Sequence, residues 1–311
     1  MSYSLTRLNE AVRSDPKGFA AECDAHYAQK VETAAEKIAL HRSTSHIVLL
    51  SGPSGSGKTT TALKIEEALE KRGIVTHTVS MDNYFKTVDP DTAPRNRKGE
   101  LDFESPFFLD VDLLCRQFAM LDRGETIHVP KYEFARQMRS DILSQPLRLG
   151  PDEVVIFEGI HALNDIIVGR NPNAFKLYIS ARTDLTDDSG AVVFRHEWLR
   201  LCRRLVRDYQ FRGSAADFTL KLWDNVRRGE KLYISPYKEN ADIMFNSALA
   251  FEFAALKSPV TPLLEAVPAG KYPVVAEMLR GFAHIEAMPP QVIAPNSLAR
   301  EFLGGSTYEN H

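Results

Sequence analysis

The stretch GPSGSGKT, residues 52–59, constrains this chain more than any other. It fits GxxxxGK[ST] in full and sits between an apolar run, HIVLL (46–50), and a helix-period segment, TTTALKIEEALEKRG. Gly52, Gly55 and Gly57 let the backbone curl until its N–H groups face one concavity. The positive end of the following helix points into the same hollow. Lys58 adds a point charge for the β and γ phosphates, and the Thr59 hydroxyl suits Mg²⁺. Ser54, Ser56 and Thr60 belong to the same turn and read as further nucleotide contacts. The turn speaks for a nucleoside triphosphate and does not name an acceptor.

The surrounding pattern agrees with that turn. Short runs rich in Val, Ile or Leu (46–50, 74–80, 153–157 and 175–179) alternate with helix-period segments such as 59–72 and 108–122. The alternation predicts an α/β chain with the P-loop NTPase fold, a mostly parallel five-stranded sheet flanked by helices. Residues 45–257 read as the P-loop domain, with an insertion at about 86–150 and a helical lid at about 195–230. Within the insertion, 86–105 is long, polar and proline-bearing, which marks a functional loop. Residues 1–44 read as a helical extension whose apolar stripe is Phe19, Cys23, Tyr27, Val31, Ala34 and Ile38. That helix either packs on the domain or binds a partner. Residues 258–311 form a proline-rich C-terminal extension, with one helical piece near 273–286.

A net charge of −3 argues against a nucleic-acid surface. Three scattered cysteines, Cys23, Cys115 and Cys202, fit a reducing cytosol and give neither a disulfide framework nor a zinc site. The charged N-terminus lacks a signal-peptide core, and no apolar run approaches the ~20 residues of a membrane helix. The expectation is a cytoplasmic protein with no membrane partner. Homo-oligomerisation is left open.

Two carboxylates stand at strand ends. Glu158 closes VVIFE, where a P-loop site places a second Mg²⁺-organising group, although an acid there also caps turns. His161, three residues on, reads as structural rather than catalytic. Asp82, in SMDNYF, follows the run 74–80 and should emerge on the sheet edge where α/β ligands bind. A carboxylate there can take the proton of an attacking hydroxyl, with Tyr84 and Phe85 walling the acceptor from water. The alternative is a turn aspartate with core aromatics. Arg200, Arg204 and Arg207, at i, i+4 and i+7, share a helix face suited to neutralising a transferring phosphoryl group. A solvated face or a local RNA-binding stripe explains the same spacing. Neither NKxD nor LSGGQ occurs, which weakens a GTPase or transporter-type reading.

GPSGSGKTT, SMDNYF, LDFESP, PKYEF, FEGIHALN and RRLVRDYQFRG, in this order and spacing, resemble the uridine kinase and phosphoribulokinase-like family, in particular bacterial nucleoside kinases. The resemblance covers about 45–257, and the N-terminal helix and the tail PNSLAREFLGGS look similar too. It implies that Asp82 is the catalytic base and lies close to the metal, with Thr59 and Glu158 as Mg²⁺ ligands. It implies that Glu104 meets the ribose hydroxyls, Tyr132 flanks the base, and Arg204, Arg207 and Arg212 reach the nucleoside and triphosphate. Gln137, Ser214 and Leu222 depart from the family's histidine, arginine and glutamine, and Glu104 is one methylene longer than its aspartate. Every departure lies on the acceptor side. The expected function is ATP- or GTP-dependent phosphorylation of a small acceptor, foremost the 5′-OH of uridine or cytidine. A sugar, sugar phosphate or pantothenate-like acceptor is the alternative, and a P-loop nucleotide switch is the rival from another class.

Overall fold

The computed structural model describes residues 1–142 and 144–308. Leu143 of the expected insertion and residues 309–311 of the expected C-terminal extension lie outside the described residues. Five strands make one parallel sheet: β1 (Ile47–Ser51), β2 (Thr76–Ser80), β3 (Val154–Glu158), β4 (Phe175–Ser180) and β5 (Ile243–Asn246). Their order is β5-β4-β1-β3-β2. The four apolar runs became β1 to β4. The fifth strand, IMFN, lies at one edge with Met244 exposed, and β2, THTVS, lies at the other with only Thr76 and Val79 buried.

Alternation across the pleat divides the inner strands between two cores. Val48, Leu50 and Ile156 face one cluster, while Ile47, Leu49, Val155 and Phe157 face the other. The helices that matter for the site are α1 (Pro16–His41), α2 (Lys58–Glu70), α3 (Val111–Asp122), α4 (His196–Arg212), α5 (Ala216–Gly229) and α6 (Arg300–Leu303). Between α3 and β3, two short antiparallel ladders pair Ile127–His128 with Pro146–Leu147 and Tyr132–Glu133 with Met138–Arg139. Among the described residues no helix is long and apolar enough to cross a membrane.

The N-terminal segment is not one continuous helix. A strand, Ser2–Ser4, pairs with Asp184–Thr186, and a helix at Leu5–Ser14 precedes α1. The break falls at Asp15, whose carboxylate accepts from the Gly18 amide at 2.9 Å ahead of Pro16 in the first turn of α1. Phe19, Tyr27, Val31, Ala34 and Ile38 are buried in the same core as Val48 and Leu50. The Tyr27 hydroxyl lies 2.6 Å from that of Thr61 on α2. At the other end of the chain, Leu298, Ala299 and Phe302 enter this core as well. A helix spans Pro273–Ala283, and another, Lys257–Glu265, was not legible among its prolines.

Register positions the site. Leu50 and Ser80 both pair with Glu158, so the carboxyl ends of β1, β2 and β3 lie side by side.

Candidate functional site

Residues 52–57 form the turn between β1 and α2, and Lys58 and Thr59 open the helix. Gly55 and Gly57 hold φ of 74° and 82°, backbone that favours glycine. A Cβ at Gly52 would stand 2.2 Å from the Ile179 carbonyl oxygen. Buried donors fix the loop carbonyls: Arg200 Nε on Ser54 O (3.0 Å), Arg203 Nη1 on Gly55 O (2.9 Å) and Ser247 Oγ on Ser56 O (2.6 Å). Each planar peptide directs its C=O and N–H to opposite sides, so anchoring the oxygens behind the loop helps aim its amides into the hollow. Glu230 meets Arg200, and Glu252 meets Arg203. This corrects the expectation for Arg200: it lies behind the P-loop, fully buried, because α4 is covered on that side too. It is not part of the arginine face at the cavity.

Beyond the strand ends opens a cavity of about 400 Å³. Ser54, Gly55, Gly57, Lys58, Thr59, Asp82, Glu104, Tyr132, Gln137, Glu158, Arg204, Arg207 and Arg212 all line it. Gly52, Ser56, Thr60 and Tyr84 do not. The first three shape the loop and the first turn of α2 from outside the lining. Tyr84 requires a correction. The turn Met81–Tyr84 directs its ring into the core, where its hydroxyl donates to Gln117 Oε1 at 2.5 Å. Phe85 faces the cavity instead, within an aromatic cluster of Phe85, Tyr132 and Phe134 whose ring centroids lie 5.0–6.1 Å apart. Arg139 clamps the turn by donating to the carbonyls of Tyr84 (3.2 Å) and Phe85 (3.3 Å) while pairing with Asp110.

The electrostatics of the cavity follow from enclosure. Asp82 remains accessible from the cavity. Burial within the cavity walls pushes its carboxyl above the usual range, against the pull of Lys58, Arg212 and Arg207. Burial raises Glu158 to about 7, opposed by Lys58 and assisted by Asp82. Burial also raises Glu104 to about 7, opposed chiefly by Arg204. His161, wholly enclosed, is driven down to about 4 and stays neutral, as a structural histidine would. Thr59 Oγ1 donates to Glu158 Oε1 at 3.4 Å. A hydroxyl and two carboxylates in one cavity are hard oxygen donors, the set that suits Mg²⁺ completed by phosphate and water.

Three arginines meet on one buried carboxylate. Asp208 accepts from Arg204 Nε (3.1 Å) and from Arg207 Nε and Nη2 (3.1 and 2.9 Å), and it pairs with Arg212 Nη1 at 3.4 Å. Arg204 Nη1 meanwhile donates to Ser54 Oγ at 3.0 Å, tying the cluster to the P-loop. Ser214 and Leu222, two of the departures, do not line the cavity.

Several lining residues escaped sequence reasoning: Phe103, Phe108, Phe134, Ile160 and Glu301. The aromatics lie in or beside quoted motifs and could have been found as rings clustered within the polar insertion. Glu301 comes from α6 and carried no local signal.

The family model described as "Phosphoribulokinase / Uridine kinase family" matches residues 47–251. A uridine kinase from Staphylococcus aureus (strain JH9) is 32% identical over 199 residues, 64% of this chain and 86% of the relative. Among solved structures, phosphoribulokinase from Rhodobacter spheroides is 15% identical, with TM-score 0.44, over 66% of this chain and 74% of that one. D-glycerate 3-kinase from Cryptococcus neoformans var. grubii is 17% identical, with TM-score 0.37, over 91% and 90%. Neither structural likeness bears on the acceptor.

Proposed function

The chain belongs to the phosphoribulokinase/uridine kinase family, and from that premise we propose that it phosphorylates the 5′-OH of a nucleoside such as uridine or cytidine, with ATP or GTP as donor. It is a phosphotransferase with a hydroxyl acceptor. The observation that carries the finer reading is the shared cavity. Lys58 and the P-loop line it together with Asp82, Glu104 and the rings of Phe85, Tyr132 and Phe134.

In this reading the P-loop amides and Lys58 hold the β and γ phosphates. Thr59, with Glu158 and Asp82, would hold Mg²⁺, which neutralises phosphate charge when bound. Asp82 accepts the proton of the acceptor hydroxyl as its oxygen attacks the γ-phosphorus. The bond from that phosphorus to the β–γ bridging oxygen breaks, and the nucleoside diphosphate leaves. Guanidinium groups of Arg204, Arg207 and Arg212 face the equatorial oxygens, where charge spreads in transfer. The aromatic rings give a flat base a stacking surface, and the Glu104 carboxylate suits ribose hydroxyls.

An acceptor panel tests the proposal. Uridine, cytidine, ribose, a sugar phosphate and pantothenate are each offered with MgATP while ADP release is followed. Uridine or cytidine should accelerate release at least about 100-fold over water alone, since water exclusion suppresses hydrolysis. Fast release with a sugar or pantothenate instead would reassign the acceptor. Slow release unaffected by every acceptor would favour a nucleotide switch.

A further inference from the structure

We propose that Glu301 competes with the donor's phosphates for the N-terminus of the P-loop helix and thereby weakens nucleotide binding; this rests on reading residues 52–59 as the nucleotide site. Glu301 Oε2 accepts a hydrogen bond from the Thr60 amide at 3.3 Å. Thr60 is the third residue of α2, so its N–H is among the first-turn donors that have no partner within the helix. Those donors, with the positive end of the helix, attract anions in a P-loop. Here the chain supplies an anion of its own. The Glu301 side chain borders the same cavity as Lys58, Thr59, Asp82 and Glu158. Its charge reaches the site, since it contributes to the upward push on Glu158.

The segment that carries this carboxylate is anchored. A Cβ at Gly57 would lie 2.6 Å from Leu298 Cδ1, so the tail packs directly against the P-loop. Phe302 is buried beneath the Arg203 guanidinium, 4.9 Å from ring centroid to carbon. Ser297 Oγ donates to Asp24 on α1, and the Tyr308 hydroxyl donates to Glu67 on α2. With both flanks fixed, the carboxylate has to turn off the Thr60 amide before a phosphate oxygen can take that N–H. One N–H cannot serve both acceptors at full strength, and two anions at such range repel. Nucleotide binding therefore works against an internal competitor, and release of the diphosphate product is assisted by it.

The test compares full-length wild type with Glu301→Gln, which keeps the shape and removes the charge, and with Glu301→Ala, which removes the acceptor as well. Titration calorimetry with ATP, ADP and inorganic tripolyphosphate, each with Mg²⁺, gives Kd for all three. Both variants should bind all three ligands about tenfold more tightly, because the competing charge is gone. Equal or weaker binding of tripolyphosphate overturns the proposal. Weaker binding of ATP and ADP with tripolyphosphate unchanged also overturns it, by making Glu301 a contact for the nucleoside moiety. If no ligand binds either wild type or variants, the nucleotide-site reading itself fails.

Discussion

Replacing Asp208 by Asn removes one charge on which three arginines converge. The carboxylate is buried and engages Arg204 through Nε and Arg207 through Nε and Nη2, while Arg204, Arg207 and Arg212 all line the cavity. Without it, neighbouring guanidiniums repel by roughly 3 kcal/mol per pair at an effective dielectric of about 20 and a separation of a few ångströms. Removing one partner of a buried ion pair typically costs about 3–5 kcal/mol. Arg212 is 58% exposed at the side chain and can relax into solvent, so the lower end applies. Arginines that neutralise a transferring phosphoryl group are worth about 10³-fold or more in kcat. Asn preserves the shape and one acceptor oxygen, so part of that should survive. We expect kcat to fall about 100-fold, equivalent to about 2.7 kcal/mol of barrier, with the KM for ATP changed less than about threefold. Coupled ADP release at saturating acceptor measures both, and thermal unfolding in parallel confirms a folded protein. Asp208→Glu should recover part of kcat, a rescue that a purely structural defect would not show. A folded Asp208→Asn protein with kcat within about twofold of wild type would refute the reasoning.

Stability should depend on pH through the enclosed acids. Glu158 and Glu104 rise from an ordinary 4.5 to about 7. Each therefore binds its proton more tightly when folded, a contribution complete below about pH 4.5 and lost as pH rises through about 7. The ligand-free Tm should fall between about pH 4.5 and pH 7, and Glu158→Gln should remove up to about 3 kcal/mol of that loss; a profile unchanged by the substitution would contradict this. Tyr84→Phe should cost about 1–2 kcal/mol of stability through the lost bond to Gln117 and leave the acceptor KM within about twofold. A large rise in that KM would return Tyr84 to the acceptor wall.

Features written into local pattern were legible. β1, β3 and β4 are apolar because both faces are covered, and the P-loop announces itself through glycines whose φ and close contacts tolerate little else. Asp82 and Glu158 were placed by the general geometry of parallel sheets, and the register of Ser80 and Leu50 with Glu158 brings both to the cavity. What remained hidden was set by tertiary structure. A four-residue 3₁₀ turn decides which of Tyr84 and Phe85 turns inward, and adjacent letters do not encode its phase. Arg200 and Arg204 lie four residues apart on one helix, yet Arg200 meets Glu230 and the P-loop carbonyl while Arg204 meets the cavity. The strand Ser2–Ser4 depends on partners about 180 residues away. Glu301 reaches Thr60 across a separation of 241 residues, a distance at which spacing carries no signal.

The central claim is that the Asp82 carboxylate takes the proton from a hydroxyl acceptor in the space between it and the P-loop. It is tested most directly by Asp82→Asn, with transfer of labelled γ-phosphate to uridine and the Kd for MgATP measured on the same preparation. Transfer should fall by about 10³-fold or more while the Kd stays within a few-fold of wild type. Undiminished transfer by the folded variant would contradict the account.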